Sequence, residues 1–169
     1  MPLIGFQNLL LIFERQINEE DTVAEVDNEY EYKIYQYPFS LDDDYTDCGD
    51  LKKHIANLTR NSVLAIAIDK KQVVGYMWAH YDFDPLKEIE TDINSFVVIG
   101  PSFVIPTHRG NNISKYMRGI LLREAYSANY RTIISKTGFD NIPQIKAAMK
   151  AGYKIHHIMY KIEGRSYYL

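Results

Sequence analysis

An apolar run, Phe103, Val104, Ile105 and Pro106, ends in Thr107, His108, Arg109, Gly110, Asn111, Asn112, Ile113 and Ser114, where a helical pattern begins. That order suits an anion. The first N–H groups of a helix have no intrahelical partner and its end carries roughly half a positive charge, so a phosphate or pyrophosphate is stabilised there. Gly110 lets the backbone approach without a Cβ in the way, Arg109 and His108 add side-chain donors, and Ser114 in the first turn adds another. An ordinary strand-to-helix connection accounts for the same pattern. A second polar group is His80, Asp82 and Asp84, which alternate at the end of an apolar run and share one side of a sheet if the strand persists. Histidine, with an ordinary pKa of about 6.5, suits proton transfer at neutral pH. Nothing in the trio fixes the tetrahedral spacing of a metal site, and a merely polar strand end is the plainer reading.

The elements that must position these residues follow from periodicity. Leu9 to Ile17 and the alternating Tyr30, Tyr32 and Ile34 predict strands, the second with one parity facing a core. Leu51, Ile55 and Leu58, behind Asp50 as N-cap, predict a short helix with a narrow apolar stripe. Val63 to Ile68 and Val73 to Tyr81, separated by Asp69 to Gln72, predict a hairpin. A charged loop follows over Asp82 to Asp92. The next strand-like run contains Gly100 and Pro101. Proline has no ladder donor, which predicts a turn or bulge between Val98 and Phe103. Met117, Ile120, Leu121 and Ala125 continue a helix from Ile113, and Arg131 to Ser135 returns to strand. Pro143, Ile145 and Met149 mark a last helix, closed by Gly152 as a left-handed C-cap. Tyr153 to Ile162 predicts a final strand in which His156 and His157 point to opposite faces, which argues against a shared metal.

Length and composition bound the answer. With 169 residues and 46% apolar content, the chain fits one α/β domain over residues 1–169. No apolar run approaches the roughly 20 residues needed to cross a bilayer. The opening MPLIGFQNLLLIFERQ has no basic start or small-residue cleavage site. The expectation is a soluble, unprocessed, cytoplasmic protein with no membrane partner. Cys48 is the single cysteine, without a local activating pattern, and reads as a structural thiol. A net charge of −3 gives no basic footprint for nucleic acid. The charge is uneven, however: residues 1–50 carry 13 acidic and 2 basic side chains, and residues 101–169 carry 3 acidic and 11 basic. Such blocks are either solubilising surface or, in the C-terminal part, a phosphate site. The acidic half, Asp42 to Asp44 included, would attract a cationic acceptor such as a polyamine, an aminosugar or a protein amine. Tyr35, Tyr37 and Phe39 are suited to stacking on a sugar or sealing a homodimer.

Neither a Gly-x4-Gly-Lys-Ser/Thr P-loop nor a Gly-x-Gly-x-x-Gly fingerprint with a downstream acid is present. Residues 107–112 instead resemble the coenzyme A pyrophosphate loop of the GNAT superfamily of N-acetyltransferases, Gln/Arg-x-x-Gly-x-Gly/Ala after the family's fourth strand. Gly110 fits the central glycine. The looser Arg-Gly-x-Gly form is met by Arg109 and Gly110, with Asn112 in place of the last glycine. The hairpin ending VVGYMW is similar to the family's second and third strands, and FDNIPQIKAAMKAGYK to its later asparagine-to-glycine helix. The resemblance covers roughly residues 62–155, the expected cofactor-binding core. It implies an α/β fold with a central mixed, mostly antiparallel sheet, flanked by helices and splayed between its fourth and fifth strands to admit the pantetheine arm. Residues 1–48 do not match a typical family start and are expected to form strands flanking the sheet or part of the acceptor site.

The resemblance implies an acetyl-CoA-dependent N-acyltransferase whose partners are a coenzyme A thioester and an unidentified amine. The backbone of Phe103, Val104 and Ile105 would pair with the pantetheine and acetyl carbonyl, and the amides from Arg109 to Ser114, through Asn111, Asn112 and Ile113, would hold the pyrophosphate. Asn141 matches the asparagine that opens the family's last helix and contacts the cofactor; a plain N-cap is its other role. Lys146 and Lys150, one turn apart, face either the adenosine phosphate or solvent. A neutral amine would attack the thioester while backbone donors stabilise the oxyanion and an acid returns a proton to the thiolate. The tyrosine that often serves as that acid would fall at Ala148. Tyr153 and Tyr160 are substitutes, and His80 with Asp82 is the candidate base. The vacancy at Ala148 favours the alternative of a non-catalytic acyl-CoA-binding module.

Overall fold

Leu11, Ile12 and Phe13 are consecutive and all buried, a pattern that a strand adopts when both faces of its sheet are covered. The computed structural model describes residues 9–22, 29–38, 48–56, 61–82, 95–162 and 165–168. Its strands are β1 (Leu9–Gln16), β2 (Glu31–Gln36), β3 (Ser62–Asp69), β4 (Gln72–Tyr81), β5 (Phe96–Val104), β6 (Thr132–Gly138), β7 (Lys154–Ile162) and β8 (Arg165–Tyr168). Its α-helices are α1 (Leu51–Ala56), α2 (Ile113–Ser127) and α3 (Ile142–Lys150). The strands form one eight-stranded sheet in the order β2-β3-β4-β5-β6-β1-β7-β8. Every neighbouring pair is antiparallel except β5 and β6. The mixed, mostly antiparallel sheet flanked by helices is therefore present.

The hairpin forms as expected, with Lys70 and Lys71 both at positive φ in its two-residue turn, a geometry that matches the twist of the flanking strands. The predicted bulge is also there. Met77 pairs with Ser102 but Ala79 with Ile99, so β5 carries an extra residue at Gly100 and Pro101. At the end of α3, Gly152 has φ +82°, and the amides of Gly152 and Tyr153 reach back to Met149 and Ala148, closing a Schellman motif. Its apolar stripe differs from the periodic reading, since Ala148 is buried while Met149 is exposed. Ile34 is exposed as well, because β2 is an edge strand. Leu58, Asp84 and Asp42 to Asp44 lie outside the described residues.

The N-terminal strand departs most from expectation. Rather than flanking the sheet, β1 lies inside it, antiparallel to both β6 and β7. On one face Leu11, Phe13, Val63, Ala65, Val97 and Ile133 pack with Met117, Leu121 and Ala125 of α2. On the other, Leu64, Ile66 and Trp78 pack with Cys48 and Leu51 at the start of α1. Cys48 is thus a core thiol.

Gly75 marks the closest approach between layers. A Cβ there would sit 3.1 Å from the Phe103 carbonyl oxygen and 3.3 Å from Ile113 Cγ2, where α2 begins. Gly75→Val is expected to destabilise by about 1–3 kcal/mol through overpacking, read as a lower urea midpoint at unchanged slope. Phe13→Ala should cost about 3–5 kcal/mol because β1 is central, whereas Ile34→Ala on the exposed edge should stay within about 0.5 kcal/mol. Equal losses for the two variants would contradict this placement of β1.

Candidate functional site

The parallel pair β5–β6 is joined only at Phe96–Thr132, Val97–Ile133 and Val98–Ile134. Beyond that point both strands continue but part. Each is held on its outer side, β5 by β4 as far as Val104 and β6 by β1 as far as Gly138. The result is a V-shaped gap in which the two strands do not pair with each other, beginning beside the Gly100–Pro101 bulge. The gap separates the fifth and sixth strands of the chain, not the fourth and fifth that the resemblance implied.

Which groups face the gap follows from ladder alternation. The amide of Ile105 donates to the Val74 carbonyl, 2.9 Å away, so Ile105 and, two residues back, Phe103 turn their backbone groups toward β4. The expectation that Phe103, Val104 and Ile105 all line the gap is corrected accordingly: Ser102 and Val104 face it, and Phe103 stacks its ring on Tyr76. The antiparallel period of two, which the sequence could not phase without knowing the bulge, explains the difference.

The loop after β5 is a single 3-10 turn, Pro106–His108, followed by extended Arg109, Gly110 at φ +88° and Asn112 at φ +57°. Gly110 is the residue type that adopts this backbone without strain. Asn112 is the N-cap of α2 but makes no side-chain capping bond, and no acid lies in the first turn. The helix therefore starts with uncapped amides. Val104, His108, Arg109, Gly110, Asn112, Ile113, Ser114 and Lys115 line a cavity of about 320 Å³. Lys115 was missed in the sequence reading, although a basic residue in the first turn of an anion-binding helix was the available signal. Arg109 Nε donates to the Val104 carbonyl at 3.0 Å, tying the loop to the gap wall.

Two loop side chains brace the loop through their polar atoms. His108 Nε2 lies 3.3 Å from Asp69 Oδ2, its Nδ1 lies 3.0 Å from Thr107 Oγ1, and its ring meets Tyr30 edge-on. Asn111 Nδ2 donates to Tyr30 Oη at 2.9 Å. The loop is thereby braced against the β3–β4 turn and the segment leading into β2. Asn141 Oδ1 accepts from the Gln144 amide at 3.3 Å, which is its N-cap role on α3.

His80 and Asp82 are not brought together. Asp82 adopts φ +58°, which ends the alternation, and its carboxylate accepts a 2.6 Å hydrogen bond from Tyr130 Oη. His80 is fully buried, stacked on Trp78, with Nδ1 2.9 Å from Ser62 Oγ. It stands opposite Val98, the last β5 residue before the gap. Tyr153 is buried among the residues beneath α2, and its hydroxyl accepts from Arg118 Nη1 at 3.1 Å. Burial raises its pKa, with Arg118 and Arg15 pulling the other way. Ala148 is packed into the same core.

His156 and His157 also depart from expectation. Ile12 pairs with His157 but Phe13 with Ile155, so His156 is the extra residue of a bulge, and the two rings lie 3.9 Å apart instead of on opposite faces. His156 Nδ1 is 3.1 Å from Glu14 Oε2. Among the described residues, no group of three or more His, Cys, Asp or Glu is arranged to hold a metal, and no helix is long and apolar enough to cross a membrane.

At the level of sequence, no protein-family model and no curated protein matches this chain. Solved structures do match. A tandem GNAT protein from the clavulanic acid biosynthesis pathway superposes with a TM-score of 0.62 at 13% identity, over 89% of this chain and 51% of that protein. A conserved Staphylococcus epidermidis protein of unknown function gives 0.55 at 15% identity, over 89% and 59%. A Drosophila protein gives 0.54 at 13%, over 89% and 48%. The chain thus spans roughly half the length of these proteins. With its sheet parted at β5–β6 and the uncapped helix following, the chain has the fold of that GNAT protein.

Proposed function

We propose that this protein transfers an acetyl group from acetyl-CoA to a primary amine by direct attack in a ternary complex. The observation that carries this reading is the gap between β5 and β6, which opens next to a glycine loop and an uncapped helix start. An extended pantetheine arm fits between two strand edges that do not pair with each other, and a pyrophosphate fits the uncapped amides of α2 with Arg109 and Lys115 beside it. The residues present fit the group. When bound, coenzyme A supplies the thioester; the chain supplies position and charge.

Ser102 and Val104, the β5 residues that face the gap, offer backbone donors to a thioester carbonyl as it becomes an oxyanion. Asn141, at the start of α3, is assigned to the cofactor in addition to capping the helix. His80 is assigned as proton acceptor, since it lies one strand from the apex of the gap, and Ser62 orients its ring. Asp82, held by Tyr130, is left out of this role. Tyr153 remains the candidate acid in place of Ala148, and a raised pKa keeps its hydroxyl protonated at neutral pH. The buried Ala148 favours a second reading, an acyl-CoA-binding module without turnover.

Coenzyme A at 100 times its dissociation constant should stabilise the protein by about 2.7 kcal/mol, seen as a rise in melting temperature. Gly110→Val, which forces a β-branched residue to φ +88°, should abolish most of that rise. No rise for the unaltered chain would remove both readings. Acetyl-CoA turnover, followed by thiol release against amines, aminosugars and peptide N-termini, separates them. Acceptor-dependent release that falls in the Arg109→Ala, Asn141→Ala double variant supports the enzyme, and binding without release supports the module. His80→Gln should lower kcat by about 100-fold or more while coenzyme A binding is retained. A loss confined to KM would reject His80 as proton acceptor.

A further inference from the structure

The C-terminal end of α2 closes with Asn129 at φ +68°. The amides of Asn129 and Tyr130 return to the carbonyls of Tyr126 and Ala125, a Schellman motif that swings Tyr130 across the helix end. There its ring meets Tyr81 with centroids 4.7 Å apart, and its hydroxyl donates to Asp82. Beneath this pair is a cavity of about 310 Å³, lined by Tyr37, Tyr81, Tyr130, Glu124 and Ala128 together with Ser62 and its neighbours at the strand ends.

We propose that this cavity binds an organic ammonium ion. Among the described residues, three tyrosines and one carboxylate line it, and no basic side chain does. The negative face of an aromatic ring attracts a cation. A phenol that donates to a carboxylate, as Tyr130 does to Asp82, presents a more electron-rich face. Arg131 lies nearby, but its Nη1 is spent on the Tyr126 and Tyr130 carbonyls and its guanidinium stacks on Tyr126, so it is not among the lining groups. The raised tyrosine pKa values agree with this field: Tyr130 is pushed up to about 12, chiefly by its bond to Asp82, and Tyr81 is pushed upward by burial and then by Glu124. Both rings therefore stay neutral.

The cavity is distinct from the loop at Arg109–Ser114. It lies at the other end of α2, roughly 20 Å away at 1.5 Å per residue. The proposal therefore stands whether or not acetyl transfer is confirmed.

Tetramethylammonium chloride titrated into the full chain at constant ionic strength, with tyrosine ring resonances as readout, tests it. Saturable shifts at Tyr81 and Tyr130 are expected, with none from tert-butanol, a neutral molecule of similar shape. Glu124→Gln should weaken binding about fivefold or more, the scale of one lost cation contact. Ala128→Leu, at an exposed position, should fill the cavity and abolish the shifts while the melting temperature is retained. Shifts that remain linear in concentration, equal shifts from tert-butanol, or binding unchanged in Ala128→Leu would each overturn the proposal.

Discussion

The structure depends on a division of hydrogen bonds in which β5 and β6 are each satisfied on one side only. Beyond Val98 and Ile134, β4 holds β5 and β1 holds β6, and neither strand can close the gap without breaking an outer ladder. Pro101 contributes no N–H, and the extra residue at the bulge bends β5 where the strands part. Backbone outside a ladder needs another partner, and on the β5 wall Arg109 supplies one to the Val104 carbonyl. The gap is thus shaped by main chain, which asks little of side-chain identity.

That economy carries into the loop. Its cavity is formed by amides, one glycine and the start of α2, and its side chains mostly hold it in place. His108 is tied to Asp69, Asn111 to Tyr30 and Arg109 to Val104. Three anchors from three parts of the chain limit the freedom of a short loop, which would lower the ordering cost of the proposed anion binding. Gly75 sets the distance at which α2 meets the sheet, so the position of the helix amides depends on a residue that does not itself line the cavity.

Much of this was legible in sequence. Local signals were read correctly: the hairpin around Lys70 and Lys71, the bulge at Gly100 and Pro101, Gly152 as a left-handed cap, and the strand-loop-helix junction at Gly110. Each rests on residues within one turn or one strand of each other. The errors came where distance or phase mattered. The site of β1 between β6 and β7 is fixed by pairings such as Phe13 with Ser135, more than a hundred residues apart, and no local pattern encodes them. Asp82 and His156 were misplaced by assuming unbroken alternation, which a single left-handed residue or bulge defeats. Phe103 and Ile105 had the right location but the wrong phase.

The helix α2 links these observations, because a cavity lies at each of its ends. Its first amides are left uncapped and face a cavity with Arg109 and Lys115 beside it, which suits an anion. Its last carbonyls are closed by the Schellman motif and by Arg131, and yet the surroundings remain electronegative through Glu124, Asp82 and the tyrosines. The two ends are therefore unlike in kind: the first offers main-chain donors directly, whereas the second must use side chains because its carbonyls are already engaged. Substitutions should be tolerated differently at the two ends. The anion loop depends on backbone shape, so Gly110 matters more than any single charge, whereas a cation site made of rings and a carboxylate changes with each side chain that forms it.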